Sequence, residues 1–246
     1  MISRWVAVAA FGTLVGLGYA VLARPAKPEV VLGAYVTSLN GRDGGQRRNA
    51  ETCLKKLNGT VIEAGETFSF NQIVGTWSRD AGYAKAPVSY GGQLIPFWGG
   101  GVCQTSSTVY NAALLAGLPI VQRHKHHFAP GYVAAGRDAA VAYPNIDLQF
   151  LNDTGAPIEV RGRVQGDTLL VELIGPRPLD RPVRIAQRMM QERRPMTLRT
   201  GSGPTVKQRN PGKVGSQVAT YRLWPDREEL LSVDSYPVMH RILESR

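Results

Sequence analysis

Residues 99–118 read GGGVCQTSSTVYNAALLAGL: three glycines, a cysteine and then a helix-forming run. Glycine admits backbone angles closed to other residues, so the triplet predicts a tight loop. Val109, Ala112, Ala113 and Ala116 recur at helical spacing, and Gly117 followed by Pro119 predicts the stop. Cys103 therefore falls at a helix N-terminus, where unpaired N–H groups and the positive end of the helix dipole favour a thiolate.

On either side of this helix the chain is turn-rich and strand-rich. With 27 glycines, 16 prolines and many short Val/Ile/Leu runs among 246 residues, the composition predicts few helices and a β-rich core. Val30–Leu39 reads as a strand, the GRDGGQRR segment after it as a loop, and Asn49–Leu57 as a helix with Cys53 on its apolar stripe, a small buried hydrophobe. Phe68 and Phe70 alternate with Ser69 and Asn71 as on a half-buried strand. Strands are also expected at Pro119–Val121 and Asp147–Leu151, and GAPIEVRGRVQGDTLLVELIG predicts a hairpin turning at Gln165-Gly166-Asp167. Upstream, Trp5–Ala23 is a nineteen-residue stretch without charge, flanked by Arg4 and Arg24. That length suits a membrane anchor or an export signal, which would place the body outside the cytoplasm.

Several motifs in one order carry a family resemblance: FSFN at 68–71, Gly82-Tyr83, Ala86-Pro87, the 99–118 stretch, Arg123 with His126, Tyr132, Gly136 with Asp138, and DLQFLN at 147–152. Over about residues 30–175 the chain resembles the VanW family, named for an accessory gene of glycopeptide-resistance clusters. The resemblance implies a bacterial, envelope-facing protein. The family generally reads Arg-His-Pro-His-Ser where this chain has Arg123-His124-Lys125-His126-His127, so His126 holds the recurring histidine position and His127 replaces a serine.

A cysteine nucleophile needs a lowered pKa, a base, a group orienting that base, and donors for an oxyanion. Cys103 is the candidate nucleophile and His126 the candidate base, with Asp138 or Asp147 to hold the imidazole tautomer. Backbone N–H groups around Gly101–Gln104 are candidates for the oxyanion pocket. Phe97, Trp98 and Tyr132 are aromatic candidates for substrate binding, together with Gly101 and Gln104. The chemistry expected is acyl transfer or amide hydrolysis on a peptidoglycan peptide. The alternatives are a non-catalytic module binding the wall, and carboxylate-dependent glycan cleavage using Asp80, Asp138 or Asp147. A Cys53–Cys103 disulfide would remove the nucleophile. His124 and His126 share a face in an extended segment, but no recognised metal-ligand spacing occurs, and no P-loop or dinucleotide fingerprint suggests a cofactor.

The formal net charge is +10, and between Arg177 and Arg246 there are 14 Lys/Arg against 7 Asp/Glu. This suits anionic envelope polymers or phospholipid head groups; nucleic acid is not expected, since an anchor or export signal would point the basic body away from it and no binding motif occurs. Arg181–Gly203 reads as an extended connection, then SQVATYRLW and ELLSVDSYP as two arms of a β-unit about Pro225-Asp226-Arg227. The expected architecture is α+β: a leader over 1–29, a β-rich domain over 30–175 with a central helix after a glycine loop, and a small basic β appendage over 176–246.

Overall fold

The computed structural model describes residues 29–90 and 93–246, and the leader lies outside them. No helix among the described residues is long and apolar enough to cross a membrane. The chain forms β1 (Val30–Ser38), α1 (Gly44–Leu57), β2 (Thr60–Ile62), β3 (Thr67–Ser69), α2 (Phe70–Val74), β4 (Lys85–Tyr90), β5 (Gln93–Trp98) and α3 (Val102–Leu115). There follow β6 (Ile120–Gln122), β7 (Gln149–Leu151), β8 (Ile158–Gln165) and β9 (Thr168–Gly175), then β10 (Arg184–Arg193), β11 (Thr197–Thr200), β12 (Val206–Asn210), β13 (Gly215–Leu223), β14 (Glu228–Tyr236) and β15 (Arg241–Ser245). The fold is α+β and rich in strand.

A four-stranded antiparallel sheet in the order β1-β9-β8-β2 carries α1 and α3 on one face. Alternation places Leu169, Val171 and Leu173 of β9 and Ile158 and Val160 of β8 in the core, against Leu54, Leu57 and Leu114 of the helices. Each such side chain contributes roughly 1.5–3 kcal/mol by leaving water. Gly33 of β1 lets α3 approach closely: a Cβ there would lie 2.3 Å from the Ala112 carbonyl oxygen. β3, β7 and β6 form a second small sheet on which Phe68 and Phe150 stack, and β4 pairs with β5 as a hairpin leading into the glycine loop.

Three elements depart from the sequence expectation. The GRDGGQRR segment is helical from Gly44, because Asp43 caps the helix and Gln46 closes a reciprocal capping box that offsets the two glycines. The alternation at Phe68–Asn71 breaks at Ser69, whose hydroxyl accepts from the Gln72 N–H and starts α2. Arg181–Gly203 is no plain connection: Arg184–Arg193 is a strand paired along its length with β13. Ile185, Ala186 and Gln187 of β10 are partly covered and the rest of the strand is exposed, so no apolar alternation marks it. β10, β13 and β14 make an antiparallel sheet; β11, β15 and β12 make a mixed one, with β11 parallel and β12 antiparallel to β15. The hairpin turning at 165–167 and the pairing of β13 with β14 follow the expectation.

Candidate functional site

The glycine loop delivers Cys103 to the second position of α3. Gly101 is its N-cap residue at φ +108°, and a Cβ there would lie 2.3 Å from the Gln46 carbonyl oxygen, so both conformation and space demand glycine. Asn49 of α1 pins the loop, its amide donating to the carbonyls of Gly100 (2.8 Å) and Ala84 (2.9 Å).

α3 is buried on almost every side, and its polar residues are organised. Cys103, Ser107 and Asn111 recur every four residues, which aligns them along one face. That face grips the segment around Asp138: Asn111 donates to the Arg137 carbonyl at 2.7 Å, Ser107 accepts from the Ala139 N–H at 2.9 Å, and the Cys103 thiol donates to the Val141 carbonyl at 3.5 Å. The same helix that carries the thiol thereby sets the position of Asp138.

His126 lies in the coil after β6, not on a strand. Its Nδ1 is 2.6 Å from Asp138 Oδ2, which also accepts from the His126 backbone N–H at 2.7 Å. With Nδ1 so held, Nε2 is the nitrogen left for a reacting group, and the Tyr132 hydroxyl stands 3.5 Å from it. The imidazole and the Cys103 thiol stand close enough for each to shift the other's proton affinity. Burial pushes the thiol up, but the imidazolium beside it more than compensates, and the net shift is downward. Burial opposes the imidazolium as well, yet the Asp138 carboxylate and the Cys103 thiolate raise His126 to about 9. Asp138 is 0% exposed; burial works against its charge, and the two His126 N–H groups with the Tyr236 hydroxyl hold it down to about 2. Both shifts run in the direction of a thiolate–imidazolium pair steadied by a carboxylate.

The expected residues divide clearly. Cys103, His126, Asp138 and Tyr132 come together. Asp147 does not join them: its oxygens accept from the Ser69 hydroxyl, the Asn71 and Leu148 N–H groups and the Gln149 amide, so it fastens α2 to β7. The Gln104 side chain is also structural, donating to Thr37 and the Ser38 carbonyl and accepting from Arg42. Its backbone N–H, like those of Val102 and Thr105, is taken by a carbonyl of the glycine loop. The Cys103 N–H has no backbone acceptor among the described residues and is the first-turn donor open to an oxyanion. Phe97 is 57% exposed on β5, and the Trp98 ring lies under the Lys85 ammonium at 5.5 Å; neither enters the Cys103–His126 network. Both cysteines are free thiols, and burial pushes the Cys53 thiol up.

Residues missed from sequence stand behind Asp138. The Arg123 guanidinium donates to Asp138 Oδ1 at 3.1 Å, to the Asp138 carbonyl at 2.7 Å and to both oxygens of Asp234, and the Tyr236 hydroxyl donates to Asp138 Oδ1. Arg123 carried a signal as part of a motif; Asp234 and Tyr236, on β14, carried none.

Residues 45–174 match a family model described as VanW like protein. The chain is 41% identical over 142 residues to the uncharacterized protein YoaR of Bacillus subtilis, covering 58% of this chain and 47% of that one. It is 32% identical over 117 residues to the vancomycin B-type resistance protein VanW of Enterococcus faecalis, covering 46% and 42% respectively. The chain thus spans less than half the length of these curated relatives.

Proposed function

The chain belongs to the VanW-like family, and from that premise we propose that it is a cysteine-dependent enzyme acting outside the cytoplasm on the peptide stems of peptidoglycan, by acyl transfer or amide hydrolysis. The observation that carries the reading is the Cys103–His126–Asp138 constellation at a helix N-terminus. The Cys103 thiolate attacks an amide carbonyl; a C–S bond forms, the oxyanion is held by the Cys103 N–H, and the C–N bond breaks as the His126 imidazolium gives its proton to the leaving amine. An acceptor amine or water, deprotonated by the now neutral His126, attacks the thioester and releases the thiolate. Tyr132 borders the imidazole, and its hydroxyl, kept protonated chiefly by burial and then by the nearby Cys103, is a donor to bound peptide.

The support for a wall polymer as target is chemical: a net charge of +10, with Arg188, Arg193, Arg199 and Lys207 exposed on the C-terminal sheets, suits an anionic matrix. The same surface favours wall binding without catalysis as the second reading. Glycan cleavage by a carboxylate pair is not favoured, because Asp138 and Asp147 each have both oxygens occupied by protein donors. The test is incubation of the full chain with muropeptides, read by intact-protein mass spectrometry. A thioester adduct on Cys103 and new or shortened muropeptides are expected, both lost in Cys103→Ala. Sedimentation with wall sacculi, with no adduct and no product in either protein, would leave the binding reading.

A further inference from the structure

The C-terminal β-sheet is built into the centre of the site. Tyr236 is 3% exposed and Asp234 6% exposed, both on β14 and both aimed at the group behind His126. The Tyr236 hydroxyl is itself fixed, accepting from the Gly136 N–H at 3.0 Å while it donates to Asp138 Oδ1. Asp234 receives the Arg123 guanidinium at 2.8 and 2.7 Å and the Ser232 hydroxyl at 2.9 Å, and the other arm of that guanidinium reaches Asp138 Oδ1. One oxygen of Asp138 is thereby anchored from β14, and the other is left to face His126. The family match ends at residue 174, so it covers the nucleophile, the base and the carboxylate but neither of these partners.

We propose that Tyr236, with Asp234 acting through Arg123, is a positioning residue for the proposed catalytic triad: β14 fixes the rotation of the Asp138 carboxylate so that Oδ2 holds the His126 imidazolium. This rests on the reading of Cys103 as a nucleophile activated by His126. Without the Tyr236 hydroxyl, Oδ1 keeps only Arg123, the carboxylate swings toward that guanidinium, and the imidazolium loses its steadying charge. The thiolate then needs a higher pH to form. The cations Lys125, over the Tyr236 ring at 5.2 Å, and Lys213, whose ammonium donates to the Ala129 carbonyl, also face this region, as does the Tyr110 ring beneath Arg123. All are retained when only the Tyr236 hydroxyl is removed.

The experiment is iodoacetamide alkylation of the full chain from pH 5 to 10, with Cys103 and Cys53 followed separately by peptide mass spectrometry, for the parent, Tyr236→Phe, Asp234→Asn and His126→Ala. Tyr236→Phe is expected to slow Cys103 alkylation at pH 7 at least about five-fold while matching the parent rate at pH 10; Asp234→Asn shifts the profile the same way by less. If His126→Ala moves the profile but Tyr236→Phe and Asp234→Asn superimpose on the parent, β14 is structural support only and the inference falls while the triad stands. A lowered melting temperature with an unmoved profile counts the same way. If the His126→Ala profile also superimposes on the parent, the nucleophile reading and the inference fall together.

Discussion

Replacing Asp138 by asparagine keeps the shape of the side chain and removes its charge. The carboxylate accepts four hydrogen bonds: two from His126, one from Arg123 and one from Tyr236. An amide offers one acceptor oxygen, so if that oxygen stays with His126, the NH₂ group faces the Arg123 and Tyr236 donors. Arg123 retains Asp234 as counter-ion, so no buried guanidinium is stranded. Two charge-assisted hydrogen bonds disappear at about 1.5–3 kcal/mol each, and a loss of about 3–5 kcal/mol is expected in urea denaturation at pH 7. The His126 imidazolium, no longer facing a carboxylate, moves down from about 9 toward its ordinary 6.5, part of the way since the thiolate remains. Cys103 alkylation at pH 7 should fall by up to about ten-fold, the weaker imidazolium being partly offset because the Asp138 charge that raised the thiol is gone, with circular dichroism confirming the fold. A loss under about 1 kcal/mol together with an unchanged alkylation profile would show that Asp138 is not what holds His126 in its charged form.

Other expectations follow from the same geometry. Burial opposes the Asp138 charge but its donors hold it near 2 against an ordinary 3.8; a depressed pKa gives stability that is present above the ordinary value and lost as pH falls through the native one. The parent should therefore lose about 2 kcal/mol between pH 4 and pH 2, a slope that Asp138→Asn lacks, both read by denaturant midpoints. Gly101→Ala combines a φ of +108° with a Cβ 2.3 Å from a backbone oxygen and should cost about 2–4 kcal/mol in a thermal melt; an unchanged melting temperature would mean the loop sits elsewhere. Gln104→Ala should lower stability by about 1–3 kcal/mol and leave the Cys103 alkylation profile unmoved, whereas a ten-fold change in muropeptide turnover at constant profile would restore that side chain to substrate binding.

The helix start at Cys103 was legible because a glycine triplet, a helix-forming run and a Gly–Pro stop all lie within twenty residues of one another. Asp138 and Asp147 could not be ranked as partners of His126, since both sit in coil where periodicity carries no information about direction. What separates them is tertiary: α3 grips the residues on either side of Asp138, while Asp147 faces β3 and α2. The start of α1 was hidden because two glycines mask a capping box that only its hydrogen bonds reveal. Ser106 and Ser107 of α3 gave no sign in the sequence of their buried partner, Ala139, which lies in a loop about thirty residues away. Tyr236 looked like one apolar position on a strand and stands 98 residues from the carboxylate it touches.

That separation has a consequence for how the molecule comes into being. A ribosome releases the cysteine, the histidine and the aspartate long before it releases β14, and Arg123 waits 111 residues for Asp234. Until then the nascent chain holds a guanidinium and a carboxylate whose outer partners do not yet exist, and closing such a long loop is slow relative to local helix and hairpin formation. On the positioning role proposed for β14, the Cys103 thiol matures last, and a chain interrupted before residue 236 carries all three proposed catalytic residues in a latent state.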